Sequence, residues 1–89
     1  MSAATIERLH ERLASLQPME IEIEDESHRH AGHAGASEGG GHYKLRIVSA
    51  AFAGKGTVAR HRMIYEAAGD LMRGPVHALA IRALTPDEV

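Results

Sequence analysis

Apolar residues at Ile6, Leu9, Leu13 and Leu16 recur at steps of three and four, with Glu7, Arg8, Glu11 and Arg12 between them. That spacing predicts an amphipathic helix, started by Ser2 or Thr5 and stopped at Pro18. The period then changes from 3.6 to two. In MEIEIED (19–25), Met19, Ile21 and Ile23 alternate with Glu20, Glu22 and Glu24, and HYKLRIVS (42–49) alternates Tyr43, Leu45 and Ile47 with Lys44 and Arg46. Both segments read as strands with one buried and one wet face. Paired antiparallel, they would set an acidic polar face against a basic one. Each such cross-strand pair contributes roughly 0.2–1 kcal/mol.

AAFAGKG (50–56) reads as a turn with room for one short helical turn. A helical stripe returns over 57–72 through Val58, His61, Ile64, Ala68 and Leu71, and Gly74 and Pro75 end it. VHALAIRAL (76–84) predicts a third strand, with His77, Leu79, Ile81 and Ala83 on one side and Ala78, Ala80 and Arg82 on the other. The order is α-β-β-(short α)-α-β. Two amphipathic helices over a three-stranded mixed sheet make a two-layer α+β domain with both helices on one face. The long step from the second strand to the third allows a right-handed parallel crossover.

Eighty-nine residues suit a single domain, here 1–89. With one Phe, no Trp and 44% hydrophobic residues, the core must come from Leu, Ile, Val, Met and Ala. The absence of cysteine removes disulfide and thiolate chemistry, so a soft metal held here needs sulfur from a partner. A net charge of −2 argues against non-specific nucleic-acid binding and leaves only a local basic patch. Lys55, Arg60, Arg62 and Arg73 surround the second main helix and could serve phosphate, an acidic partner or solvent alone. The charged N-terminus is neither a signal peptide nor a membrane span, so a cytoplasmic chain with no membrane partner is expected.

The connection between the first two strands, HRHAGHAGASEGGGH (28–42), is rich in glycine and histidine and predicts a flexible hairpin loop. His28 and His30 alternate in an extended segment and so do not chelate together without a turn. His33 can join His30 only through a turn at Gly32. The other reading of each is a solvated loop histidine, and His42 reads as a strand-edge residue. His61, on the helical stripe, reads as a half-buried histidine packed on the sheet. His77, from its parity, reads as a histidine at the margin of the core.

Asp25-Glu26-Ser27, HYKLRIVS, the pattern Phe52-x-Gly54-x5-Arg60-His61-Arg62-x-Ile64-Tyr65 and Val76-His77-Ala78-Leu79 together resemble the BolA family over residues 5–86. The resemblance implies a class II KH-like αββααβ fold and a non-enzymatic partner of monothiol glutaredoxins. Such partners share a [2Fe-2S] cluster with the glutaredoxin and glutathione, in iron–sulfur trafficking and in iron and stress regulation. It further implies that His77 is a cluster ligand, joined by a loop histidine that counts to His30, with His28 and His33 as secondary candidates. Imidazole suits iron, and histidine in place of thiolate raises a cluster's potential. No cofactor is expected for the isolated chain. Bacterial relatives are also described as DNA-binding transcriptional regulators, which makes DNA the alternative partner. A KH module grips nucleic acid through GxxG, whereas AGKGTV spaces Gly54 and Gly56 by one residue, so that clamp is absent. Neither a nucleophile elbow nor a phosphate loop is present, so neither an enzyme nor a small-molecule substrate is expected.

Overall fold

A computed structural model of the chain describes residues 2–27 and 41–89. Helix α1 (Ser2–Leu13) is followed by a 3-10 turn at Ala14–Leu16, and Gln17 takes the left-handed conformation (φ 53°) that turns the chain before Pro18. Strand β1 (Glu20–Asp25) and strand β2 (Gly41–Val48) pair antiparallel, a 3-10 turn covers Ala50–Phe52, and helix α2 (Thr57–Ala68) crosses over to strand β3 (Val76–Leu84). β3 lies parallel to β2, so the sheet order is β1-β2-β3 and the sheet is mixed. The predicted αββααβ order and α+β class are what the structure shows. Among the described residues, no helix is long and apolar enough to cross a membrane.

One core joins the layers. Leu9 and Leu13 of α1, Ile64 and Ala68 of α2, and Leu71 beyond it are buried against Tyr43, Leu45 and Ile47 of β2, with Ile21, Ile23, Leu79 and Ile81 beside them. Burying each large aliphatic side chain contributes about 1.5–3 kcal/mol. Phe52 is fully buried, and Gly54 (φ +76°) makes the tight turn that follows it. The opposite face of the sheet carries the charges. Glu22 lies across from Arg46 and Glu24 from Lys44, as the alternation predicts. Glu20 is in register with Val48 instead, yet its carboxylate reaches Arg46 diagonally at 2.8 Å. That contact holds the Arg46 guanidinium above its ordinary pKa.

The helical stripe of α2 differs from its sequence reading. Val58 is 71% exposed, and the inward residues are Arg60, Ile64, Ala68 and then Leu71. A helix turns about 100° per residue, so the threefold steps from Val58 to His61 to Ile64 drift by about 60° each. Steps of four from Arg60 drift by only about 40° each, so Arg60, Ile64 and Ala68 stay on one face, and it is Arg60 that turns in. Its guanidinium donates to the carbonyls of Lys55 (2.8 Å) and Ala83 (3.0 Å) and grips both oxygens of Glu88 (2.6 and 3.0 Å). The helix-to-sheet angle is therefore fixed by a polar clamp as well as by the core. At the far end of α2, Arg12 donates to the Ala68 carbonyl (3.0 Å) and pairs with Asp70 (2.8 Å), placing a cation at a helix C-terminus.

The clamp predicts an acid response. The Arg60 guanidinium first, and then the Thr85 N–H, hold the Glu88 carboxyl down at about 2, against 4.5 for an ordinary glutamate. A depressed carboxylate stabilises the fold above its unfolded value and loses that contribution as pH falls towards its folded one. Between pH 4.5 and 2 the Tm of the wild-type protein should fall more steeply than that of Glu88→Gln. Parallel pH–Tm curves for the two would contradict the clamp.

Candidate functional site

The candidate site forms where β3 begins. Gly41 pairs with Val76, but the next residue of β2, His42, pairs with Ala78, so β3 carries one extra residue. That residue is His77. A bulge leaves its extra residue unpaired and breaks the two-residue alternation. Val76 is accordingly buried on the helix side together with Leu79, three positions later, and His77 is turned out and exposed. The expectation that His77 shares the side of Leu79 and Ile81 is corrected by this shift: it is no core-margin histidine.

His42 changes its role as well. It stands on the central strand rather than at an edge, half-buried, on the same face as Lys44 and Arg46. Its ring lies beside that of His77, with centroids 5.3 Å apart and planes inclined by 46°. Sequence reading missed this pair because the bulge is invisible in an alternating run. A histidine opening a strand next to a neighbouring histidine-bearing strand start was the available signal.

The backbone around the pair is anchored on both sides. His42 donates its N–H to Ser27 Oγ (3.0 Å), and its carbonyl accepts from the Glu26 N–H (2.8 Å). Ser27 in turn donates its N–H to Asp25 Oδ1 (2.8 Å), while Gly41 donates to the Pro75 carbonyl (2.7 Å). Both stems of the histidine-rich connection are thus fastened to the rim where His77 emerges. His30, His28 and His33 lie outside the described residues. Among the described residues, no three histidine or carboxylate side chains converge on a metal position. The pair places two imidazole rings side by side at the rim, a side-chain type suited to iron, copper or zinc.

The four basic candidates do not gather into one patch. Arg60 is committed to the clamp, its side chain only 13% exposed. Lys55 precedes α2 and Arg73 follows it, with the twelve-residue helix, about 18 Å long, between them in the chain. Arg62, which forms no ion pair among the described residues, lies on the outer side of α2, where Val58, His61, Tyr65 and Glu66 line an open depression of about 420 Å³ with it. His61 is half-buried, in keeping with its place on the stripe, and its open side lines this depression.

Gly41 gives a direct test of the anchored rim. A Cβ there would meet Tyr43 Cε2 at 2.7 Å and both Ser27 Oγ and Tyr43 Oη at 2.8 Å. Gly41→Ala should therefore cost about 1–3 kcal/mol in urea unfolding, as overpacking does. An unchanged midpoint would mean that the rim yields freely.

Comparisons with known proteins agree with this architecture. The family model described as BolA-like protein matches residues 13–88. The chain is 48% identical to SufE-like protein 1, chloroplastic/mitochondrial, of Arabidopsis thaliana, over 92% of this chain and 24% of that protein. With the DNA-binding transcriptional regulator BolA of Escherichia coli it shares 41% identity, over 92% of this chain and 76% of the relative. It spans about half the length of Protein BOLA1, chloroplastic, of Arabidopsis thaliana and of BolA-like protein 1 of Mus musculus, 53% and 50%. Among solved structures, the BolA domain of SufE1 from Arabidopsis thaliana superposes with a TM-score of 0.82 at 49% identity, each chain covered to 93%. BolA1 from the same organism gives 0.79 at 39% identity, again with 93% coverage of each. With its fold, its Phe52–Tyr65 pattern and its Val76–Leu79 strand start all in place, the chain belongs to the BolA family.

Proposed function

We propose that this chain is a non-enzymatic adaptor that shares a [2Fe-2S] cluster with a monothiol glutaredoxin and glutathione, in iron–sulfur trafficking and iron or stress regulation. One observation carries the reading: the bulge at the start of β3 lifts His77 out of the sheet and sets it against His42. An imidazole held at a solvent-facing rim can complete a metal shell that another protein brings. With no cysteine in the chain, the sulfur donors must be the partner's.

The donor set fits the cluster in kind. Neutral imidazoles bind iron, and two histidines on one iron are established in cluster chemistry. His77 would be the first ligand and His30, from the connection fastened at Ser27 and Gly41, the second. When bound, the cluster would supply an electron-accepting, transferable iron–sulfur unit. The chain's own part is to present His77 on a rim whose backbone is anchored and to keep that rim in register with the helices.

The alternative reading is a DNA-binding regulator acting through the KH-like helix region. The 41% identical Escherichia coli relative carries that name, and Arg62 beside Val58 and Tyr65 offers a cation next to apolar surface on the outer side of α2. Lys55 lies at the start of the same helix. Such binding would lose affinity steeply with salt and would be insensitive to His77.

Co-expression with a monothiol glutaredoxin tests the leading reading. The purified complex should show the visible absorption of a [2Fe-2S] centre, and His77→Ala should change its shape or abolish it. A complex whose spectrum is the same with and without His77 would remove this residue from the ligand set.

A further inference from the structure

His77 is the rim residue that its own backbone holds least. As the extra residue of the bulge it has no partner across the ladder, and β3 is an edge strand of the sheet. Its neighbours along the chain give the ring little support, because Val76 points into the core and Ala78 brings only a methyl group. Among the described residues the His77 side chain makes no hydrogen bond and no ion pair, and its one ring contact is with His42.

A side chain so placed is open to the three staggered wells of χ1. Histidines that bind metal are normally held against this freedom by an acceptor for their second ring N–H, and losing such a partner costs about 10–100-fold in affinity. No acceptor does this for His77 among the described residues. The His42 ring stands there instead, on the β2 side, with centroids 5.3 Å apart, inside the range of roughly 4.5–7 Å over which ring pairs attract. His42 makes a firm wall because it is itself fixed. It lies half-buried on the central strand, its N–H on Ser27 Oγ (3.0 Å) and its carbonyl taking the Glu26 N–H (2.8 Å). Its burial also sets it back from the rim on which His77 is exposed.

We propose that His42 is a positioning residue, whose ring holds the His77 imidazole in the one rotamer that meets the partner's iron without itself binding the metal. The inference rests on the function proposed above and adds the residue through which the ligand is oriented. A ligand that must first find its rotamer gives up part of its interaction energy in being ordered, and a ring against its flank removes that cost. Support of this kind depends on the bulk of the ring at position 42 and not on its nitrogens. A phenyl group there should therefore serve as an imidazole does, and a methyl group should not.

The test has one arm on the full chain alone and one on its complex with a monothiol glutaredoxin, using His42→Ala and His42→Phe, with thermal melts to check that each variant is folded. In the chain alone, three-bond couplings about χ1 of His77 read its rotamer by nuclear magnetic resonance. Wild type and His42→Phe should show a single rotamer, and His42→Ala averaged couplings. In the complex, His42→Ala should shorten retention of the cluster about tenfold, while His42→Phe stays within about twofold of wild type. Averaged couplings in the wild-type chain would overturn the positioning role, and so would a single rotamer in a folded His42→Ala. Loss of the cluster in a folded His42→Phe would overturn it as well, by making His42 a nitrogen donor. If His42→Ala does not fold, the wild-type couplings and the His42→Phe complex decide the matter. A wild-type complex without a cluster brings down the function proposed above whichever way the couplings read, whereas averaged wild-type couplings beside an intact cluster spectrum bring down the positioning role alone.

Discussion

The parallel pairing of β2 with β3, with one residue too many on β3, sets the geometry of everything else in this protein. Without the extra residue, Val76 would share the side of Ala78 and point to solvent, and His77 would point towards the helices. With it, Val76 closes the core beneath α2 and His77 is delivered to the rim beside His42. A single backbone irregularity thus closes the core and brings a histidine to the surface. Bulges next to functional sites act in this way, re-aiming one side chain while the rest of the strand keeps its register.

The rim keeps its shape because its surroundings are tied down from several directions. Ser27 and Glu26 hold His42 from the β1 side, Pro75 holds Gly41 from the β3 side, and the Tyr43 ring fills the space that a side chain at 41 would need. At the other end of β3, Arg60 joins the Ala83 carbonyl, the Lys55 carbonyl and Glu88, so the strand is anchored at both ends. Groups that need no rearrangement on binding keep more of their interaction energy, and whatever meets this rim meets a tied-down backbone.

Much of this was legible in the sequence, and the illegible part has physical causes. Alternation at 19–25 and 42–49 gave the hairpin and its facing charges, because one face of a two-layer sheet must stay apolar. The order of elements followed from changes of period. Where a second force acted on the backbone, periodicity misled. Threefold spacing imitates a helical stripe and puts Val58 in the core, whereas the half-buried, salt-bridging Arg60 lies on the inward face of α2. Parity puts His77 beside Leu79 and Ile81, and parity fails wherever a strand carries an extra residue. His42 was passed over because a pairing between histidines 35 positions apart depends on register, which no single segment contains. Lys55, Arg60, Arg62 and Arg73 are close in sequence, yet α2 lies between Lys55 and Arg73 and the clamp takes Arg60.

The central claim is that His77, turned out by the bulge, is a nitrogen donor to iron carried by a sulfur-supplying partner. Pulsed electron paramagnetic resonance on the reduced complex reads that bond itself, with the histidines of this chain labelled with 15N and the glutaredoxin unlabelled. The account predicts a strongly coupled 15N nucleus that disappears in His77→Ala. A cluster-bearing complex with no 15N coupling from this chain, or with a coupling that persists in His77→Ala, would contradict it.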